Sequence, residues 1–176
     1  LTSNTTAQYN TAVGRNALKT NVTGQYNTAI GMDALEANTA SYNTACGLRA
    51  LEANTSGSYN TAVGYNCLDV CTTGHNNTAV GRDALGSLTT GTKNAVLSTG
   101  GQAVTTGSNN VLLGYNTGSS LSPSGNITTG SNNICLGNDE IQNLFCQDTS
   151  ISSSDQRDKT DITDFTKGLD WIKALR

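Results

Sequence analysis

The feature that most constrains the fold is a short motif, Tyr-Asn-Thr-Ala-Val-Gly, which the chain repeats at a nearly constant interval. Clear copies have their leading Asn at positions 10, 27, 43, 60 and 77, and weaker copies begin at Asn94, Asn110 and Asn133. A repeat of about 17 residues is typical of architectures in which successive coils stack on one another. The sequence therefore predicts a stacked-coil protein rather than an ordinary globular domain.

Each repeat consists of the motif, two variable residues, an Ala-Leu pair and a polar loop. Thr and Val favour strands, and Gly14 and Gly24 provide backbone freedom at two bends. About 17 residues are too few for a strand, a helix and two connections. We therefore predict an all-β fold, a parallel β-solenoid or β-roll over residues 1–140, with two short strands and two turns per repeat.

Equivalent residues of stacked coils are expected to form rows along the axis. We predict an interior row in the valine slot, made by Val13, Ile30, Val63 and Val80. A second interior row is predicted in the leucine slot, made by Leu18, Leu35, Leu51, Leu68 and Leu85. The tyrosine row is expected on a face or at a subunit seam; its members are Tyr9, Tyr26, Tyr42 and Tyr59. The Asn row is interpreted as a hydrogen-bonded ladder or a series of turn formers.

Composition narrows the class of protein further. Val, Ile, Leu and Phe make up only about 19 % of the chain, a fraction that borders on the disordered class. The formal net charge is only −3, however, so order is expected to come from repetition. The repeats carry no Lys/Arg cluster, which argues against a nucleic-acid partner. No apolar run reaches the length of a membrane span, so no membrane partner is predicted either.

The five cysteines do not suggest a metal site. Cys46 occupies the valine slot, Cys67 an alanine slot and Cys135 an apolar slot, so they are interpreted as small hydrophobic residues. Cys67 and Cys71 are four residues apart, but no second Cys/His pair accompanies them. Acidic residues occur mostly singly in the variable slots, and no motif calls for a cofactor. We predict neither a metal nor a cofactor.

The repeats resemble the head repeats of trimeric adhesins, whose motif also reads Asn-Ser-Val-Ala-Ile-Gly. The similarity spans about residues 4–137. It implies a left-handed β-roll that associates as a homotrimer. Independently of the resemblance, a single solenoid would leave strand edges and apolar flanks that association would cover.

The chain changes character after the repeats. Residues 141–153 are predicted to form a cap or linker. The motif Ser154-Asp155-x-Arg157-x-Lys159-x-x-Ile162, followed by Gly168-Leu169-Asp170-Trp171-Ile172, resembles the start of the C-terminal intramolecular chaperone domain of phage tail fibres and tailspikes. Asp158 stands where that family often has Leu. In the family this domain trimerises, templates folding of the preceding fibre and cuts itself off immediately before the motif serine. The resemblance assigns residues 154–176 to the start of such a domain, truncated here because the family's domain continues further.

The chemistry of that cleavage is also suggested by the residues themselves. A serine hydroxyl needs a base, and the single His, His75, lies far away in a repeat. Lys159 lies five residues after Ser154, and burial would lower its pKa enough to make it neutral. We predict that Ser154 attacks the carbonyl of Ser153 with Lys159 as general base, giving an ester that water resolves. The alternative is that Ser154 or Asp155 only caps a helical turn.

The combined expectation is a homotrimeric virion fibre, extracellular, with a self-cleaving chaperone and a host surface receptor or glycan as partner. The alternative is a cellular trimeric surface adhesin that binds a host or matrix ligand without proteolysis. A third class, a polysaccharide-degrading spike, would be supported by a groove lined with carboxylates.

Overall fold

The computed structural model describes residues 1–122 and 125–141, which form a β-solenoid of stacked coils. Each coil contributes one three-residue strand to a single sheet. The strands are β1 (Thr11–Val13), β2 (Thr28–Ile30), β3 (Thr44–Cys46), β4 (Thr61–Val63), β5 (Thr78–Val80), β6 (Ala95–Leu97), β7 (Val111–Leu113) and β8 (Ile134–Leu136). They pair in chain order, and every pair is parallel. The predicted all-β parallel solenoid is confirmed, and no helix capable of crossing a membrane occurs in the described part.

The repeat keeps the strands in register. Thr11 lies opposite Thr28 and Ala12 opposite Ala29, and the same correspondence continues from coil to coil. It persists where the spacing lengthens, because Val111 still lies opposite Ile134. The extra residues between β7 and β8 are therefore accommodated outside the ladder. Pro123, predicted to lie in a loop there, is outside the described residues.

The second strand predicted for each repeat is not present in the coils that the structure describes, and that prediction was wrong. The Ala-Leu half of each coil forms a turn instead. Its backbone enters the left-handed region twice per coil, for example at Asn66 (φ 48°) and Leu68 (φ 54°). An extended strand cannot contain such residues, because left-handed torsions reverse the chain direction within one or two residues.

The interior row was also assigned to the wrong side of the strand. Val13 is 57 % exposed and Val63 36 % exposed, whereas Ala29 and Ala62 are fully buried. Successive side chains of a strand point to opposite faces, so the first and third residues of each strand share the outer face and the middle residue points inward. That middle residue is Ala in β1 to β5 and Val96, Leu112 or Cys135 in β6 to β8. The leucine row is buried as predicted, with zero exposure at Leu18, Leu35, Leu51, Leu68 and Leu85. Leucines facing an alanine row fill a narrow interior.

The Asn row forms the predicted hydrogen-bonded ladder. The Oδ1 atom of Asn43 accepts a bond from the backbone N–H of Asn60 in the next coil (2.9 Å). The Nδ2 atom of Asn43 donates to the carbonyl of Gly57 (2.8 Å). Comparable bonds between successive asparagines extend from Asn10 to Asn133. Each amide thus satisfies buried backbone groups that the short strands leave unpaired.

Glycines at the two bends have different roles. Gly14 has φ +127°, a conformation that L side chains rarely adopt, so it provides the predicted backbone freedom. Gly24 instead allows close approach between coils, because a Cβ atom there would lie 2.1 Å from the carbonyl oxygen of Ala40. The distance between these two coils is therefore set partly by the absence of a side chain at Gly24.

Candidate functional site

The residues predicted to perform self-cleavage lie outside the described part of the chain. These are Ser153, Ser154 and Lys159, and most of the predicted 141–153 cap also lies there. The surfaces of the solenoid itself are described, and three of them have features beyond those of a solvated coil: the outer face of the sheet, a column of tyrosines and a groove lined by charged residues.

The outer face of the sheet consists of the two outward residues of each strand. One row is apolar and partly or largely exposed: Val13, Ile30, Cys46, Val63, Val80, Leu97, Leu113 and Leu136. The other is Thr in β1 to β5 and becomes apolar in β6 to β8, where Ile134 is 74 % exposed. At about 4.8 Å per strand the outer face is about 34 Å long. A continuous apolar surface of this kind marks an interaction site more often than scattered exposed residues do.

A tyrosine column lies along one margin of the outer face, two residues before each of the first four strands. Tyr9, Tyr26, Tyr42 and Tyr59 stack with ring centroids 4.8 to 5.1 Å apart and interplanar angles of 3 to 9°. All four have left-handed backbone torsions, with φ between 57 and 63°. The rings remain 47 to 67 % exposed. Stacking within the column therefore leaves much of the aromatic surface in water.

A second row lies along the opposite margin, two residues after the apolar residue of each strand. We call it the margin row; in the first five coils its members are Arg15, Met32, Leu48, Tyr65 and Arg82. Met32 and Tyr65 are exposed, and Arg82 makes only a loose contact of 3.7 Å with Asp83. The outer face is thus bordered by aromatic rings on one side and by long, mixed side chains on the other.

The predicted role of the cysteines as small hydrophobic residues is confirmed for the buried thiols. Cys67 and Cys71 are fully buried, and burial raises the pKa of Cys67 to about 12 and that of Cys71 to about 11. The Cys67 thiol donates to the carbonyl of Ala79 (3.1 Å). Thiols held protonated in this way are poor metal ligands and poor nucleophiles. Cys46, in the valine slot, is only partly buried.

Stacking brings acidic residues together that the sequence places in separate slots. Carboxylate oxygens of Asp33, Glu36 and Glu52 all lie within 4.8 Å of one another. The acids meet because the slots of Glu36 and Glu52 are adjacent in the stack, as the bond from Ala37 N–H to the Glu52 carbonyl shows. The sequence signal that could have predicted this cluster was the presence of an acidic residue at equivalent positions of consecutive repeats. Stacking converts a sequence separation of about one period into direct contact.

Each member of this cluster has a partner. Lys19 Nζ lies 2.8 Å from a Glu36 oxygen, and Arg49 Nε donates to Glu52. The Nδ2 atom of Asn16 donates to Asp33 (2.8 Å). The cluster is therefore a network of partly exposed ion pairs and hydrogen bonds.

The groove beside this network has a volume of about 450 Å³. Glu36, Arg49, Glu52 and Asp69 line it, together with residues of the Ala37 slot. Burial raises the pKa of Asp69, while the positive charge of Arg49 opposes that rise. The groove is thus lined with carboxylates, the feature expected of a polysaccharide-degrading spike, although Glu36 and Glu52 are already ion-paired.

Comparison with known proteins gave no match: no family model fits the chain, and no curated protein or solved structure proved similar to it.

Proposed function

We propose that the chain is a segment of a homotrimeric virion fibre, a tail fibre or tailspike, in which the outer faces of three copies meet along the fibre axis. The observation that supports this most strongly is the apolar row that crosses all eight strands without interruption. A parallel solenoid keeps that row straight and parallel to its own axis. Three such rows facing one another would bury the apolar side chains and leave the other sides of each coil in water.

The free energy gained by burying the apolar rows is similar in size to the cost of bringing three copies together. Burying the exposed part of a half-exposed Val, Ile or Leu contributes about 1 kcal/mol, so one apolar row contributes roughly 8 kcal/mol per copy. Three copies give roughly 24 kcal/mol, against a cost of about 4–15 kcal/mol for each association step. Because the gain and the cost are close, contacts beside the outer face also help to decide whether the trimer forms.

The C-terminal segment extends the proposal to assembly. Residues 154–176 would begin the chaperone domain, which would help three chains to align and then be released before Ser154, with Lys159 as the base. The trimeric solenoid left behind would persist because its unfolding is slow. Surfaces facing away from the axis would bind the host surface receptor or glycan.

The deciding experiment measures mass in two ways on the chain expressed with its natural downstream sequence. Light scattering under native conditions is expected to give three copies, and intact mass after denaturation a fragment ending at Ser153. Ser154→Ala is expected to remain full length and still trimeric. Full-length mass for both proteins would reject self-cleavage and favour a cellular trimeric adhesin. A monomer in native buffer would reject the fibre itself.

A matched pair of substitutions tests the outer face. Val63→Asp places a charge on that face and is expected to abolish the trimer. Val22→Asp adds the same charge at another exposed valine and is expected to leave it intact. Equal effects of both substitutions on oligomeric mass would show that the outer face is not the contact.

The groove supports a second candidate function, cleavage of a polysaccharide. A glycosidase needs two carboxyl groups, one of them a proton donor with a raised pKa, and Asp69 meets that condition. The assay is release of new reducing ends from bacterial polysaccharide by the trimer. Loss of release in both Asp69→Asn and Glu52→Gln would favour this function, and absence of release in the unsubstituted protein would reject it.

A further inference from the structure

We infer that the tyrosine column is one half of the seam between neighbouring copies, and that the margin row of the next copy is the other half. This inference rests on the proposed homotrimer. It assigns a partner to the aromatic surface that stays exposed within one copy.

The column is difficult to explain by packing within one copy. Its slot is left-handed in every coil. In later coils it holds Lys93 once and otherwise Asn76, Asn109 and Asn132, a residue type that tolerates this conformation well. Four tyrosines in place of asparagine each add backbone strain of about 1 kcal/mol. The three stacked pairs return a similar amount, about 0.5–1.5 kcal/mol each. Stacking thus offsets the strain and leaves no net gain from choosing tyrosine.

Most of the ring surface also remains available. A tyrosine buries about 150–250 Å² when fully enclosed, so four half-exposed rings offer roughly 300–500 Å². A stable contact removes about 800 Å² from each partner. The strip between the two outward rows of the sheet, about 34 Å by 7 Å, is much smaller than this. A trimer therefore needs the margins of the outer face as well as its centre.

Symmetry determines which margins meet. In a closed three-fold ring each contact joins two different patches, one from each copy. The two margins of the outer face are such patches, because the tyrosine column precedes each strand and the margin row follows it. Rotation about an axis facing the sheet brings the column of one copy toward the margin row of the next.

The side chains of the margin row suit aromatic partners. Arg15 and Arg82 are exposed cations that can pair with ring faces. Met32 offers a thioether and Tyr65 a second ring, and both types make favourable contacts with tyrosine. Since each coil supplies one residue to each row, the two rows have the same spacing and can meet coil by coil.

Disulfide trapping tests the seam. The background is Cys46→Val, which gives that slot the residue found in other coils. Tyr42→Cys is combined in turn with Leu48→Cys, Met32→Cys or Tyr65→Cys, to allow for a shift of one coil between copies. Within one chain, residues 42 and 48 are separated by an extended segment of about 20 Å, too far for a disulfide. Under mild oxidation one combination is expected to give a covalent trimer on a non-reducing gel, while each protein with only one added cysteine gives monomer.

The outcomes separate this inference from the proposed function. If native light scattering shows a monomer, the homotrimer itself is rejected. If the protein is trimeric and no combination crosslinks, the seam is formed by other surfaces and the inference is wrong. If Tyr42→Cys alone gives covalent dimers, two columns face each other, which also overturns it. Replacing all four tyrosines by Asn gives an independent readout: trimer dissociation is expected at a protein concentration at least tenfold higher, with an unchanged circular dichroism spectrum of the coils.

Discussion

Removing one amide from the Asn ladder should destabilise the solenoid more than any exposed substitution. Asn60 is 1 % exposed, and its side chain serves two coils at once. Its Oδ1 atom accepts from the backbone N–H of Asn77 (3.0 Å), and its Nδ2 atom donates to the carbonyl of Gly74 (2.8 Å). Asn60→Ala leaves the buried N–H of Asn77 without a partner and leaves the Gly74 carbonyl only the long bond from the Cys71 thiol (3.9 Å). Each unsatisfied group costs about 1–3 kcal/mol, so the expected loss is about 4 kcal/mol in the free energy of unfolding.

Urea denaturation of the two proteins, followed by circular dichroism, measures this loss. The control is Asn126→Ala, which removes the same amide from an exposed position and should cost less than about 0.5 kcal/mol. Hydrogen exchange localises the effect, because the amide of Asn77 should lose protection before those of distant coils. Equal stability of the two variants, with unchanged exchange at Asn77, would refute the view that the ladder holds the coils together.

Three further predictions concern the interior. Leu51→Ala opens a cavity at a fully buried site and should cost about 3–5 kcal/mol by the same denaturation assay. Gly57→Ala should cost at least about 1–3 kcal/mol, because its Cβ would lie 2.1 Å from the Gly74 carbonyl, whereas Gly86→Ala, with its nearest neighbour at 3.3 Å, should be tolerated. The pKa of Cys67 is raised to about 12, so its contribution to stability is complete below about pH 8.5, where the unfolded thiol is still protonated. It is lost as the pH rises from about 8.5 toward 12. At about pH 10 this loss is about 2 kcal/mol, and Cys67→Ala should remove it from the pH dependence of thermal unfolding.

The rows that sequence reasoning predicted correctly were those in which repetition alone decides the outcome. Leu51 and Asn43 recur at the same place in each repeat, so stacking must superpose them on their equivalents in neighbouring coils. Both are buried in the one interior that the coils enclose. The tyrosine column follows in the same way. The candidate surfaces were less accessible to sequence reasoning. The cluster around Glu36 and Glu52 depends on contacts between coils, and the outer face depends on which side of each strand points inward.

The sequence by itself determined the period, the parallel stacking and the identity of the rows, because near-identical segments joined by short connections have few ways to pack other than in register. Only the tertiary structure decided which residues of each strand point inward and which point outward. Hydrophobicity alone favours Val63 over Ala62 as the interior residue, yet opposite the leucine row the inward slot holds the smaller side chain. The larger Val96 and Leu112 occupy that slot only in later coils, beyond Leu85. Left-handed torsions at residues such as Leu68, which become acceptable when the leucine is fully buried, replaced the second predicted strand with a turn. Both outcomes depend on the volume enclosed by the coil, which no single repeat specifies.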